Sequence, residues 1–184
     1  MTQFASPRQL GKPMVVMTVG HSTRTIEAFV ALLRAHGVRR VIDVRTVPRS
    51  RHNPQFNRDA LGKRLHSARL HYRHLRLLGG LRHARGDSQN LGWRNASFRG
   101  FADYMQTAKF EEGLEALIDL AKKERAAVMC AEAVPWRCHR SLIADALLAR
   151  GICVEHIMSA KRRNPHQLIP FARVEGKRVT YPCE

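Results

Sequence analysis

The segment 130–140, which reads CAEAVPWRCHR, holds the residues of this sequence best suited to chemistry. It follows a short apolar run and precedes the apolar positions of a predicted helix. The free N–H groups and the dipole at a helix N-terminus stabilise an anion or a thiolate. We therefore predict that Cys138 lies in the first turn of that helix, has a lowered pKa and acts as a nucleophile or redox centre, aided by Arg137, His139 and Arg140. In the alternative, Cys138 only packs the first turn and Arg140 pairs with a carboxylate.

A metal site in the same segment is not predicted, although Cys130, Cys138 and His139 are all metal-ligand types. Neighbouring residues of a helix point about 100° apart, so Cys138 and His139 are not expected to share one ion. The usual Cys-x-x-Cys pairs are also absent from the sequence. No metal and no cofactor is expected.

Two further apolar runs also end in polar residues. His21 and Ser22 follow the first, and Asp43 with Arg45 ends the second. The carboxyl ends of parallel strands meet at one edge of a sheet, where ligands bind. Residues 43 and 45 share one face of a strand, so Asp43 can orient Arg45 while Arg45 reaches an anion. Glu132 is expected to act as a general base or to pair with an arginine. The predicted catalytic residues are His21, Cys130, Glu132 and Cys138, the predicted anion-binding residues are Ser22, Arg45, His139 and Arg140, and Asp43 is the predicted orienting residue.

Excess positive charge marks the stretch between residues 45 and 85, in a chain whose net charge is +17. Basic residues interleaved with aromatic ones are typical of nucleic-acid binding. The residues predicted to bind nucleic acid are Arg49, Arg51, Arg73, Arg76 and Tyr72. The alternative is a solvated basic face with aromatic residues in the core, because net charge alone carries no specificity.

The elements that must position these residues alternate along the chain. Short apolar runs predict buried strands at 14–19 and 126–131, and further strands are predicted at 38–44, 70–75 and 152–158. Helical spacing and caps predict helices after Thr25, after Asn57, from Ser97, from Phe110 and from Cys138. A hairpin is predicted near the end, turning at Glu175 and Gly176. This order predicts a single three-layer α/β domain over residues 14–184, with a mostly parallel sheet, helices on both faces and a C-terminal hairpin.

The composition bounds the remaining expectations. A chain of 184 residues is long enough for one domain with a full core. Residues 1–13 are expected to be a tail without the long apolar stretch of a signal peptide, and no run approaches the roughly 18–20 apolar residues that span a membrane. We expect a cytoplasmic protein without membrane contact and without disulfides. Cys153 is expected to be a buried, slowly reacting residue of an apolar strand.

Several of these motifs together resemble the domain of unknown function 488 family. The motifs that carry the resemblance are Gly20-His21-Ser22, Asp43-Val44-Arg45 with Pro48 and Ser50, Phe56, Tyr72 with Leu78-Gly79-Gly80, Cys130-Ala131-Glu132, Cys138-His139-Arg140 and the closing Pro170-Phe171-Ala172-Arg173. The resemblance runs from about Val19 to Ile157. It implies a small α/β domain with a shared polar site, and it implies no particular reaction.

Three functions follow from these residues. The leading hypothesis is an enzyme that acts on a phosphate-bearing substrate, a nucleotide or nucleic acid, because a thiol, a carboxylate, a histidine and arginines meet at the ligand edge. The second is a nucleic-acid-binding protein without catalysis, which needs the basic surface but neither the thiols nor Glu132. The third is a thiol redox or sulfur-transfer protein, which needs Cys130 and Cys138 and little else.

Overall fold

The computed structural model describes residues 14–183 as alternating strands and helices. The expected tail, 1–13, lies outside the described residues. The strands are β1 Val15–Gly20, β2 Arg40–Asp43, β3 His71–His74, β4 Ala126–Cys130, β5 Cys153–Ser159, β6 Arg162–Pro165, β7 Arg173–Glu175 and β8 Arg178–Thr180. The helices are α1 Ile26–Ala35, α2 Arg58–Ser67, α3 Ala96–Tyr104, α4 Ala108–Lys123 and α5 Arg140–Leu148.

Six of the strands form one sheet in the order β3-β2-β4-β1-β5-β6. The first five are parallel, and β6 runs antiparallel to β5. Strands β7 and β8 form a separate hairpin, in which Gly176 takes the positive φ of 60° that its turn requires. The predicted α/β class, the mostly parallel sheet and the C-terminal hairpin are therefore confirmed.

Each face of the sheet has its own hydrophobic core. On one face α1 and α2 pack through residues such as Phe29 and Leu65 onto β-strand residues that include Val41. On the other face α3, α4 and α5 pack onto the alternate strand residues, and Leu142 belongs to that core. Strands covered on both faces must be apolar on both, which is why their sequences read as continuous apolar runs. No helix of residues 14–183 is long and apolar enough to cross a membrane.

Four local expectations were wrong. Helix α5 begins at Arg140, and Cys138 precedes it in extended conformation instead of lying in its first turn. Asn95 caps α3 through its side-chain oxygen, in place of Ser97. Strand β6 was not predicted, because its residues are mostly exposed and polar and show no apolar alternation. Cys153 is exposed, since it is the first residue of β5 and the buried face of that strand begins at the next position.

Candidate functional site

A cavity opens at the carboxyl ends of β1, β2 and β4, where the sequence predicts the site. Its volume is about 680 Å³. These three strands are neighbours in the sheet, so residues far apart in the chain meet there. The predicted residues that line it are His21, Ser22, Arg45, Arg49, Cys130, Glu132, Cys138 and His139. Asp43 and Arg140 lie behind this wall and contact residues that line it.

The end of β1 fits closely against the loop that follows β4. The N–H groups of His21 and Ser22 donate to the carbonyls of Cys130 and Ala131 at 3.0 and 2.9 Å, which continues the strand pairing into the site. A Cβ on Gly20 would lie 1.9 Å from the carbonyl oxygen of Glu132, so only glycine fits there. Ser22 has a φ of 51°, a conformation that is costly for serine and that is found mostly at functional sites.

Asp43 and Arg45 form a buried pair at the end of β2. The Nε and one terminal nitrogen of Arg45 donate to the two oxygens of Asp43 at 2.9 and 2.6 Å. Tyr72 donates its hydroxyl to Asp43 at 2.7 Å, and Arg45 also donates to the carbonyl of Phe56 at 2.8 Å. Asp43 thus orients Arg45 as expected. Most of the donors of Arg45 are occupied, and its second terminal nitrogen faces His21 at 3.3 Å.

His21 is buried between this pair and an aromatic ring. Its ring stacks on Phe56 with a centroid distance of 4.1 Å, and its Nδ1 lies 2.8 Å from the carbonyl oxygen of Ser22. That carbonyl oxygen can only accept a hydrogen bond, so Nδ1 carries the proton. In the neutral ring Nε2, which faces Arg45, is then unprotonated. Burial lowers the pKa of His21 to about 4. At neutral pH, His21 is therefore an uncharged acceptor beside Arg45.

Cys138 lies at the junction of the site with α5 and is 5% exposed. The Nε of Arg140 donates to its sulfur at 3.4 Å, and the Nδ1 of His139 lies 3.6 Å from the same atom. The other ring nitrogen of His139 lies 3.1 Å from the carbonyl of Val44, to which it donates. A Cβ on Gly80 would come within 2.5 Å of the His139 ring, so this glycine makes room for it.

The two site thiols have opposite acidities. The sulfur atoms of Cys130 and Cys138 and a ring nitrogen of His139 all lie within 4.8 Å of one another. The adjacent Cys130 thiol, with His139 and Arg140 beside it, holds the pKa of Cys138 well below its usual range. The adjacent Cys138 and burial raise the pKa of Cys130. These directions favour Cys138 as the thiol of the pair that ionises.

The same three atoms could hold a thiophilic cation such as Zn²⁺, with an open position towards the cavity. The sequence-based argument against a shared ion placed Cys138 and His139 inside a helix. Both residues precede α5, in extended and capping conformations, and their side chains converge. A ligating histidine commonly donates its other nitrogen to a backbone carbonyl, as His139 does to Val44.

Glu132 contacts Arg140 in an unexpected way. Its backbone carbonyl accepts a very short hydrogen bond from Arg140, whereas its carboxylate accepts from the N–H of Val134 at 2.9 Å. The Glu132 side chain is exposed on the cavity wall. It is thus available to solvent and substrate, and does not neutralise the buried guanidinium.

The predicted nucleic-acid-binding residues are distributed unevenly. Arg49 is exposed on the cavity wall, and so is Arg137, which was expected to aid Cys138 and was not among the predicted nucleic-acid-binding residues. Arg51, Arg73 and Arg76 are exposed outside the cavity, and Tyr72 is half-buried with its hydroxyl engaged. Arg49 and Arg137 form no ion pair with the residues in the described part of the chain.

The sequence reasoning missed a buried polar group behind the site. His156 and Thr18 are side-by-side partners on β5 and β1, and both are buried. His166 and Asp145 continue the group away from the cavity. The signal in the sequence was a threonine and a histidine inside strands that are otherwise apolar, at positions where burial requires a hydrogen-bond partner.

The fold and the site define a small α/β protein with a thiol site at the carboxyl edge of a parallel sheet. A family profile described as Domain of unknown function DUF488 matches residues 25–147. The chain belongs to this family, as its motifs indicate. No curated protein and no solved structure gave a significant match to the chain.

Proposed function

We propose that the protein is an enzyme that uses the Cys138 thiolate as a nucleophile on a phosphate-bearing substrate, a nucleotide or a nucleic acid. The observation that carries this proposal is the burial of Arg140. It is the largest fully buried side chain of residues 14–183, at 1% exposure. No carboxylate oxygen of residues 14–183 lies within 4.0 Å of its guanidinium nitrogens.

A buried charge is costly unless it is paired. Cys138 is the neighbour of Arg140 that can become an anion, and Arg140 donates to its sulfur. An ionised Cys138 therefore pairs the guanidinium, and the guanidinium in turn stabilises the thiolate. A neutral Cys138 would leave the positive charge in the core without a partner.

The walls of the cavity favour an anionic substrate. Arg49 and Arg137 project from its rim without carboxylate partners among the described residues. Arginine is well suited to bind phosphate oxygens. In the proposed reaction the Cys138 sulfur attacks phosphorus, the bond from phosphorus to the leaving oxygen breaks, and that oxygen takes a proton from solvent. Water, deprotonated by Glu132, then cleaves the sulfur–phosphorus bond and restores the thiolate.

The experiment has two parts. The alkylation rate of each cysteine is measured against pH by mass spectrometry, with the exposed Cys153 and Cys183 as internal references. The protein is then incubated with p-nitrophenyl phosphate and with short oligonucleotides, and the release of product is compared with Cys138→Ser. We expect alkylation of Cys138 at neutral pH, and product release that disappears in Cys138→Ser. A Cys138 that reacts only at strongly alkaline pH would refute the proposal.

A second function, thiol redox or sulfur transfer, is favoured by the distance between Cys130 and Cys138, whose sulfur atoms lie within 4.8 Å. In this reaction the Cys138 thiolate attacks one sulfur of a disulfide, or the outer sulfur of a persulfide, and the other sulfur leaves as a thiolate. Cys130 then loses its proton and attacks the Cys138 sulfur, which forms a Cys130–Cys138 disulfide and releases the bound group as a thiol or, from a persulfide, as hydrosulfide. Cys130→Ser separates the two functions. Phosphoryl transfer should survive this substitution, whereas reduction of a disulfide substrate should stop.

Nucleic-acid binding without catalysis is supported by the net charge of +17 alone. Its test is the affinity for single- and double-stranded DNA and RNA at rising salt. Phosphate contacts release counterions, so binding should weaken steeply with salt, and combined replacement of Arg49, Arg51, Arg73 and Arg76 should flatten that dependence. Absence of binding at low salt would exclude this function.

A further inference from the structure

A continuous chain of hydrogen bonds runs through the core from α5 to the candidate nucleophile. The carboxylate of Asp145 lies 2.8 Å from Nε2 of His166, whose Nδ1 lies 3.0 Å from Nε2 of His156. The Nδ1 of His156 lies 2.7 Å from the hydroxyl of Thr18. That hydroxyl lies 3.4 Å from a terminal nitrogen of Arg140. The chain therefore joins a buried carboxylate to the guanidinium that contacts Cys138.

The direction of every hydrogen bond in this chain follows from the carboxylate. Asp145 accepts, so Nε2 of His166 carries the proton and Nδ1 of the neutral ring accepts. The Nε2 of His156 must then donate, which leaves its Nδ1 to accept from Thr18. The hydroxyl oxygen of Thr18 accepts from Arg140 in turn. All four bonds thus donate from Arg140 towards Asp145, and one set of tautomers satisfies them all.

Burial isolates the chain from solvent. Asp145 is fully buried, and Arg140, Thr18 and His156 are at most 7% exposed. The side chain of His166 is 6% exposed. Burial, with the neighbouring His166 and Arg140, lowers the pKa of His156 to about 3. His156 is therefore neutral at physiological pH and can accept from Thr18 without adding a second positive charge beside Arg140.

We propose that Thr18, His156, His166 and Asp145 are positioning residues that hold the Arg140 guanidinium with its Nε towards the Cys138 sulfur. The proposal rests on the proposed function of Cys138 as a thiolate. Arginine side chains have many rotamers, and a fixed donor stabilises an anion more than a mobile one. The carbonyl of Glu132 fixes one terminal nitrogen of Arg140 and Thr18 fixes the other, so Nε is the donor left for the sulfur.

A purely structural role is the competing explanation. Buried polar groups are costly to satisfy, and apolar residues of similar volume fill a core as well. If these hydrogen-bonded side chains only filled space, the number of hydrogen bonds between them and the direction in which they donate would have no effect on Cys138. The two explanations differ in one measurable quantity, the acidity of the Cys138 thiol.

Thr18 offers a matched pair of variants that separates them. Thr18→Val keeps the shape but removes the hydroxyl that links His156 to Arg140, whereas Thr18→Ser keeps the hydroxyl. The alkylation rate of Cys138 is measured between pH 5 and 10, with urea unfolding of each variant beside it. We expect Thr18→Val to raise the pKa of Cys138 by about one unit, with about tenfold slower alkylation at pH values below the pKa of both proteins. Thr18→Ser should restore the wild-type profile within about twofold.

Two further variants complete the test. His156→Gln breaks the chain at its next link, and it is measured in the same way if Thr18→Val does not unfold cooperatively. Asp103→Asn is the control, because Asp103 is also a buried carboxylate and its partners Ser88 and Asn90 reach Asp145 only through Tyr181, whose backbone N–H donates to Asn90 and whose hydroxyl donates to Asp145. It should leave the Cys138 profile unchanged.

The outcomes distinguish this proposal from the proposed function. An acidic Cys138 in the wild type whose profile is the same in Thr18→Val and His156→Gln overturns the positioning role and leaves the nucleophile intact. A wild-type Cys138 with an ordinary thiol pKa overturns both. A profile that shifts as much in Asp103→Asn shows a general effect of lost stability, and it also overturns the positioning role.

Discussion

Lowering the pH from 8 to 5 should destabilise this protein through two buried histidines. His21 and His156 have pKa values of about 4 and about 3, below the ordinary 6.5, mainly because burial disfavours their charged forms. In this pH range the unfolded chain binds protons that the folded protein does not. Stability is therefore fully present above pH 6.5 and is lost as the pH falls from 6.5 towards the folded values.

The magnitude follows from the same pKa values. At pH 5 an unfolded histidine is mostly protonated and both folded ones are mostly neutral, so each contributes a loss of about 2 kcal/mol relative to pH 8. The total, about 4 kcal/mol, is a large fraction of the ~5–15 kcal/mol by which domains are stable. The lowered pKa of Cys138 adds a loss of the same sign as the pH falls through the folded value, because the unfolded thiol is already protonated there.

The assay is urea unfolding at pH 5, 6, 7 and 8, followed by circular dichroism. His156→Gln removes one of the two histidines and keeps His21, and any change in the contribution of Cys138 is read from the alkylation profile of the same variant. We expect the loss between pH 8 and 5 to be about 2 kcal/mol smaller in His156→Gln than in the wild type. Equal pH dependence in the two proteins would refute the claim that His156 stays neutral in the core.

Three further predictions address the site directly. Arg140→Met keeps most of the volume and removes a hydrogen bond to a charged sulfur worth about 1.5–3 kcal/mol, so the pKa of Cys138, read from its alkylation rate against pH, should rise by about 1–2 units. An unchanged alkylation profile would show that Cys138 does not depend on the guanidinium. Gly20→Ala places a Cβ against the Glu132 carbonyl and should cost about 1–3 kcal/mol in urea unfolding. Gly86→Ala, which meets nothing within 4 Å, should cost far less, and equal costs would contradict the close fit. Zn²⁺ in small excess should slow alkylation of Cys138 but not of the exposed Cys153, and a chelator should reverse the effect. If Zn²⁺ has no effect on Cys138, or if a chelator does not reverse it, the three ligand atoms do not bind the metal.

The sequence predicts the architecture because its signals are local and strong. Short apolar runs identify the buried strands β1, β2 and β4, and the rule that ligands bind at the carboxyl ends of parallel strands brings His21, Arg45 and Glu132 to one cavity. Nothing local could predict that Glu132 contacts Arg140 through its backbone, since that contact depends on how the loop after β4 folds against Gly20.

The errors near Cys138 have a similar origin. The boundary of α5 was placed two residues early, because no capping side chain marks it and His139 occupies the cap position. That small difference changes the conclusion about metal binding, as two adjacent side chains outside a helix can converge. The chain from Asp145 to Thr18 was missed because its members lie on separate elements and meet only in the assembled sheet.

The strand order has a consequence for how the protein folds. Strands β1 and β2 do not pair with each other. Both pair with β4, which follows β2 by more than 80 residues in the sequence. Pairings over such sequence separations form slowly, because the loop-closure entropy is lost before the contacts form. Strand β4 ends in Cys130. The event that closes the sheet is therefore the same event that delivers Cys130 to the site, and a folding intermediate without β4 holds no paired thiols.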